Sequence, residues 1–363
     1  MSGAVRVSLV AVLVLTGAAG TAVAAPAHST GHSTGAKVER ISTGSDGSQL
    51  PKASAGGVIS ADGRYAAFLS GDPSGGIDKV LYLKNLRTGR LTKVPENLVY
   101  TTLTGLSADG RRIAYSDSNR YPKPYVYDRV TGETRQLWPA DGDAYELGET
   151  AAISGDGRSV AYTLGNRHGL EYAGVLYVRD LVTGADDRIV KLDSDSMVSG
   201  ASLDARGRTL AYGVVTSAGD GEIHVRNRHT GTTRRVDTGA PAHLVQLSAD
   251  GHRVLFNVQT GDGIWVAYVR DLRTGQVRRV ADGPAVSGDG SLRHVLLTDG
   301  DSLVLRDLRT GRQRTVAPAA SATAVPGSVT RDGGAAVFTS TDDTMVPDDT
   351  NEVSDVFVTH PRP

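Results

Sequence analysis

LSADGRRIAYSDSNRYPKPYVYDRVTGETRQL, Leu106–Leu137, is the stretch whose reading decides the fold. The run Gly105–Ser107 leads into Asp109-Gly110, and the apolar segment Arg112–Ser116 follows. After an irregular connection, Tyr125–Arg129 alternates apolar and polar residues, Thr131-Gly132 reverses the chain, and Glu133–Leu137 completes the unit. Glycine accepts the positive φ of a tight reversal, so Asp-Gly between two β-rich runs predicts a hairpin. The unit therefore reads as four short extended strands.

The same wording returns along the chain. Ser-Ala-Asp-Gly or Ser-Gly-Asp-Gly ends at Gly63, Gly110, Gly157, Gly251 and Gly290, and eroded copies end at Gly207 and Gly333. The spacings are 47, 47, 50, 44, 39 and 43 residues, which makes seven units. A second marker, Thr-Gly after an alternating strand, ends at Gly89, Gly132, Gly184, Gly231, Gly275 and Gly311. No amphipathic helical period lies between these turns, which excludes a parallel α/β fold. Four strands per unit, repeated seven times, predict an all-β, seven-bladed β-propeller of four-stranded antiparallel blades. The runs Tyr65–Leu69, Ile113–Tyr115, Val160–Tyr162, Leu210–Tyr212, Val254–Phe256 and Ala336–Phe338 are almost continuously apolar, as strands covered on both faces should be. Their tyrosines and phenylalanines are expected to pack between sheets.

The seventh unit stops short of its outer strand, at Val356–His360. Val38–Thr43, ahead of the first complete unit, has the alternation of such a strand. Pairing Val38–Thr43 with Val356–Thr359 would close the ring, since an open ring leaves a sheet edge exposed. The expected organisation is a signal peptide over 1–24, a disordered tail over 25–37 and the propeller over 38–363.

The repeated S-[AG]-D-G-R-x-x-A-[FY], followed by [VL]-x-[VL]-R-D-L-x-T-G, resembles the TolB-like, or PD40, propeller repeat. That repeat is a WD40-related type of exported bacterial proteins and prolyl-oligopeptidase-like proteins. The resemblance covers Val38 to the C-terminus, and Asp348–Val358 also looks like a segment common in such repeats. Ala or Gly stands here where the family's repeat has proline before Asp-Gly. The α/β domain that precedes the propeller in TolB, and the hydrolase domain of the peptidase relatives, are not read in these residues. The resemblance thus implies a fold and carries over neither role.

Arg6, the apolar run Val7–Leu15 and the small-x-small site Ala22-Val23-Ala24 read as a leader cut after Ala24, or secondarily after Ala27. The run is shorter than the roughly 20 residues of a membrane span. Secretion without a lipid anchor is expected, because there is no cysteine for a lipid, a disulfide, a thiolate or a thiol nucleophile. A net charge of −1 argues against a nucleic-acid groove or a polybasic membrane-binding face, and most arginines stand beside turns, where a solvated face is expected. A monomer is expected.

Asp-Gly and Thr-Gly turns join strands one to two and three to four, so both lie on one face of an up-and-down ring. The irregular loops, such as 117–124, 139–150, 166–174 and 193–200, must lie on the other. Binding residues concentrate on variable loops held by a rigid scaffold. The candidates there are Trp138, Tyr145, Glu146, His168, Glu171, Tyr172, Asp262 and Trp265. Trp and Tyr offer a broad apolar face with a polar tip, suited to a peptide or sugar. Asp348, Asp349, Asn351 and Asp355, with Asp342 and Asp343, offer oxygens to a calcium ion, although their order is not that of a known calcium loop. No other cofactor is expected.

Catalytic motifs fail on their chemistry. Gly31–Gly35 spells G-x-S-x-G without the strand, strained turn and helix that the nucleophile needs. The nine histidines lack paired ligand spacing. The Ser-x-Asp-Gly turn is superficially similar to the sialidase Asp-box, but its Asp and Gly are adjacent and no tryptophan follows. The reading is a non-catalytic binding protein for a peptide, a protein or a cell-wall or polysaccharide fragment. The alternative is an extracellular hydrolase or lyase with carboxylates gathered at the channel mouth.

Overall fold

The computed structural model describes residues 37–71, 79–94, 101–117, 121–140, 145–168, 171–193, 195–216, 219, 221–318 and 321–360, without the side chains of 167, 168 and 171–173. The expected leader and most of the expected tail lie outside these residues. The described chain contains 27 strands and no helix.

Strand β1 (Lys37–Arg40) stands ahead of six successive four-stranded antiparallel sheets. Blade 1 is β2 (Ala53–Ile59), β3 (Tyr65–Gly71), β4 (Val80–Asn85) and β5 (Leu91–Lys93). Blade 2 is β6 (Thr101–Leu106), β7 (Arg112–Asp117), β8 (Lys123–Asp128) and β9 (Glu133–Gln136). Blade 3 is β10 (Leu147–Ile153), β11 (Ser159–His168), β12 (Glu171–Asp180) and β13 (Asp186–Lys191). Blade 4 is β14 (Ser196–Leu203), β15 (Thr209–Thr216), β16 (Gly221–Asn227) and β17 (Thr233–Arg235). Blade 5 is β18 (Ala242–Leu247), β19 (Arg253–Gln259), β20 (Trp265–Asp271) and β21 (Val277–Arg279). Blade 6 is β22 (Ala285–Gly288), β23 (His294–Asp299), β24 (Ser302–Asp307) and β25 (Gln313–Ala317). Blade 7 has β26 (Ala336–Ser340) and β27 (Asp355–His360), and β1 is its outer strand.

The seventh blade departs from the expected four regular strands. Its inner segment is held by bridges from Thr323 to Thr339 and from Val329 to Ala336. Pro326-Gly327 lies between them, and proline has no N–H for a ladder.

The second strand of each blade is buried on both faces. Phe68, Tyr115, Tyr162, Phe256 and Phe338 are at most 1% exposed, which places the aromatic repeat positions in the core. Each faces a ring on the third strand: Phe68 with Tyr82, Tyr115 with Tyr125, Tyr162 with Tyr177, Phe256 with Tyr268 and Phe338 with Phe357. Their centroids lie 5.5 to 6.0 Å apart, inside the range in which ring pairs attract beyond their buried area. In blade 4 the partner of Tyr212 is His224, and in blade 6 Leu297 faces Val304.

The Asp-Gly turn has one chemistry in all seven units. A hydroxyl or carboxylate at its first position accepts the N–H five residues on: Ser60 from Tyr65, Ser107 from Arg112, Ser154 from Ser159, Asp204 from Thr209, Ser248 from Arg253, Asp289 from His294 and Thr330 from Ala335. The sixth unit corrects the sequence reading. Its first position is Asp289, not Ser287, and Leu292 stands where the other units have glycine, at φ 55°. Asp and Ser have exchanged places there, since the Ser291 hydroxyl donates to Asp289.

Main-chain hydrogen bonds tie these turns into a closed girdle. Asp62 N–H donates to Ala108 at 3.3 Å, Ala108 to Gly155 at 2.8 Å, Asp156 to Ala205 at 2.7 Å and Ala205 to Ala249 at 2.9 Å. Ala249 then donates to Gly290 at 2.7 Å, Gly290 to Arg331 at 3.3 Å, and Arg331 to Ala61 at 3.0 Å, which completes the circuit. The Thr-Gly turns share a second chemistry, in which Asn85, Asp180, Asn227, Asp271 and Asp307 each accept two main-chain N–H groups ahead of a glycine.

The predicted closure is present. β1 pairs antiparallel with β27, Lys37 opposite His360 through Arg40 opposite Phe357, and Ile41 continues with a bond to Val356.

Candidate functional site

The antiparallel order places the Asp-Gly and Thr-Gly turns on one face, and the loops joining second to third strands and successive blades on the other. Several loops are shorter than expected. The segment 166–174 is no irregular loop: β11 and β12 pair over ten residues each, from Ser159 with Asp180 to His168 with Glu171. His168, Glu171 and Tyr172 therefore sit at the end of a hairpin, and their side chains lie outside the described residues.

Trp138, Tyr145 and Glu146 come together beside this hairpin, at the junction of blades 2 and 3. Trp138 and Tyr145 pack on one apolar cluster around Leu137, Leu164 and Val175. The organising residue is one that the sequence reading missed. Lys123 places its ammonium 3.9 Å from the Trp138 ring centroid and donates to the Glu146 carbonyl at 2.6 Å. Its position is set by the Asp117 carboxylate, which accepts the Lys123 main-chain N–H. Burial lowers the pKa of Lys123 against the pull of Asp117 and Glu146, and burial raises that of Asp117. Glu149, on the inner strand β10, is also raised by burial. Next to it Thr150 accepts a bond from Thr104 and bonds Ser116, joining blades 2 and 3 through hydroxyls. Lys123 between two prolines, in Pro122-Lys123-Pro124, was the available signal, but its nearness to Trp138 depends on the blade geometry.

Asp262 and Trp265 lie elsewhere, in blade 5. Trp265 packs against His243, with ring centroids 4.5 Å apart. Asp262 closes the β19–β20 turn, accepting the Thr260 hydroxyl and the Ile264 N–H, and these bonds hold its carboxyl low. The candidates thus share a face but form two groups, with blade 4 between them.

The acidic segment gathers around an arginine. Arg40, at the end of β1, carries a buried guanidinium that lies 2.7 Å from Asp348, 3.4 Å from Asp349 and 3.6 Å from Asp355. Gln49 donates to Asp349 and Asp355 at 2.7 Å, Ser42 donates to Asp355 at 2.5 Å, and Asn351 donates to the Leu50 carbonyl. The cluster is the seam of the ring closure. Among the described residues no three His, Asp or Glu side chains are grouped to hold a metal ion.

The fold and its closed girdle define a seven-bladed β-propeller protein, as the TolB-like resemblance implied. No family model and no curated protein matches the sequence. Among solved structures, an oligogalacturonate lyase in complex with manganese is similar at 17% identity and a TM-score of 0.66, over 91% of this chain and 94% of that one. A prolyl endopeptidase is similar at 14% identity and a TM-score of 0.59, over 90% of this chain and 51% of that one. TolB from Acinetobacter baumannii matches at 16% identity and a TM-score of 0.48, over 72% of this chain. The chain spans 62% of the length of that TolB. At these identities the likeness concerns the fold alone. No helix among the described residues is long and apolar enough to cross a membrane.

Proposed function

We propose that this is an exported, non-catalytic binding protein, which takes a peptide, a protein or a cell-wall polysaccharide fragment on the loop face at the junction of blades 2 and 3. The observation that carries this reading is the Lys123 ammonium over the Trp138 ring, beside Tyr145 and Glu146, at the foot of the β11–β12 hairpin. A cation fixed over a half-buried tryptophan, beside the exposed Glu146 side chain, offers charged and directed hydrogen-bonding contacts to such ligands. Export rests on the leader sequence. Its test is the N-terminus of protein recovered from the culture medium, where Ala25 is expected and an intact Met1 would refute it. The binding test is a glycan and peptide array on the mature protein, with and without calcium. Trp138→Ala should abolish the strongest signals, and signals unchanged in that variant would refute the site.

A glycan lyase or hydrolase is the second reading. It is favoured by the full-length likeness to oligogalacturonate lyase and by two carboxyls, Asp117 and Glu149, both raised by burial near one junction. The manganese of that lyase has no matching donor group among the described residues, so no step is derived through a metal. Growth of the ultraviolet absorbance of an unsaturated uronide on incubation with oligogalacturonides, lost in Glu149→Gln, would decide for the enzyme.

A further inference from the structure

One position on the outer strand lets a blade grip the next. The strand registers make the pair Val126–Arg135 of blade 2 equivalent to Val178–Asp187 in blade 3, Val225–Arg234 in blade 4 and Val269–Arg278 in blade 5. In blades 4 and 5 the outer-strand arginine crosses to its neighbour. Arg234 donates to the Leu272 carbonyl at 2.6 Å and Arg278 to the Leu308 carbonyl at 3.3 Å, and both leucines open the Thr-Gly turn of the following blade. In blade 3 the contact is an ion pair. Asp187 accepts from Arg228 at 3.1 Å, and Arg228 stands at the leucine's place in blade 4.

The junction between blades 2 and 3 lacks this strap. Arg135 turns back to Glu133 in its own strand, at 3.1 Å, and among the described residues it bonds nothing in blade 3. Glu133 is the cause, since blade 4 has Thr232 at that place and blade 5 has Gln276, neither of which holds an arginine by charge. The space left on the turn face is a cleft of about 80 Å³. Val126 and Leu181 are its apolar lining, and Thr131 lies at its edge. The turns beside it present Val130 and Val182, next to Thr131 and Leu181 in the chain. These are two of the four large hydrophobic side chains exposed among the described residues.

The charged lining is three arginines with two carboxylates: Arg111, Arg112 and Arg135 with Asp128 and Glu133. Arg111 and Arg112 share Asp128. Burial opposes its charge, but bonds from Arg111, the Val130 N–H and Arg112 hold the Asp128 carboxyl down at about 2. Among the described residues Arg111 donates through Nε alone, so its terminal nitrogens are open to an acceptor. Beyond the lining, Arg129 and Arg158 stand with Asp109, Asp156 and Asp180, so the wider turn face has no excess of positive charge and attraction is confined to contact.

We propose that this open junction binds the C-terminal end of a partner polypeptide, with the terminal carboxylate on Arg111 and a small aliphatic last side chain on Val126 and Leu181. A guanidinium takes a carboxylate through paired N–H groups. A chain end carries its carboxylate and its last side chain on one carbon, so both reach a small cleft together, whereas an internal Asp or Glu brings its anion on a stem flanked by peptide groups. The site is on the face opposite Trp138 and is independent of the loop-face reading.

The test is fluorescence polarisation of the mature protein with hexapeptides that differ only in their last residue, each made as the free acid and as the amide. Free acids ending in Val or Ala should bind best, and amidation should weaken them by about tenfold or more, as should Arg111→Gln. Glu133→Gln copies blade 5, freeing Arg135 to reach the Leu181 carbonyl, and should abolish binding. A mere attraction of anions would instead grow when that negative charge is removed. Trp138→Ala should change nothing, and thermal melting will show that each variant is folded. No binding of any free acid, equal binding of acids and amides, unchanged affinity in Arg111→Gln, or unchanged or tighter binding in Glu133→Gln would overturn the proposal.

Discussion

Arg40→Ala should open the ring at its seam. The Arg40 side chain is 4% exposed, and it faces Asp355 at 0% and Asp349 at 5%. Removing one partner of a buried ion pair typically costs about 3–5 kcal/mol, because the other charge stays desolvated. The low end applies here, since Nε and Nη1 of Arg40 make no hydrogen bond and the native cluster is not ideal to begin with. The expected loss is thus about 3 kcal/mol, a large part of the ~5–15 kcal/mol that holds a typical domain. Urea unfolding followed by circular dichroism will measure it. The pH dependence separates this cause from a simple loss of packing. Burial, aided by Asp349, raises the Asp355 carboxyl above its unfolded value, so the folded protein binds a proton that the unfolded chain does not. That contribution is fully present below the unfolded value, near 4, and is lost as pH rises through the raised folded value. Without Arg40 the folded value should climb further, so the deficit of Arg40→Ala should be smaller at about pH 5 than at about pH 8. Asp355→Asn added to Arg40→Ala should restore part of the loss. A deficit under about 1 kcal/mol, or one that does not change with pH, would refute the argument.

Ser107→Ala removes a fully buried hydroxyl that accepts from Arg112 and donates to Asp109, and should cost about 1–2 kcal/mol in the same unfolding assay. Gly110→Ala and Gly132→Ala both meet a positive φ, 64° and 75°, at about 1 kcal/mol each. The Gly110 Cβ would also lie 2.7 Å from the Tyr65 ring, whereas that of Gly132 meets open space, so the first variant should melt well below the second. Glu149→Gln should flatten the fall in stability that burial of this carboxyl imposes as pH rises from about 4 through its raised value, so the variant should gain on the wild type at pH 8. Deleting residues 37–42 should lower the melting temperature sharply by baring the edge of β27.

What was legible in the sequence is what is held by contacts a few residues apart. The Ser60-to-Tyr65 and Asn85-to-Thr88 bonds repeat because they use local atoms, and local atoms leave a readable motif. The sixth unit misled by two residues for the same reason. Asp289 and Ser291 trade the carboxylate and hydroxyl roles without changing the turn, and Leu292 tolerates the left-handed region because its side chain is buried against Leu255 and Val295. Closure was legible by elimination, one strand being left over and one strand missing. The Arg40 cluster was not, because it joins residues some 310 positions apart, such as Arg40 and Asp348 or Ser42 and Asp355. Lys123 and Trp138 were lost similarly, since neither residue type nor spacing tells that a blade will stack one over the other.

Ring topology also separates in space what the sequence interleaves. In an up-and-down blade each chain reversal goes to the face opposite the previous one, so residues that alternate along the sequence are sorted in space. The girdle from Asp62 round to Ala61 fixes the turns relative to one another through main-chain bonds, so this face of the ring is held whatever side chains the turns carry.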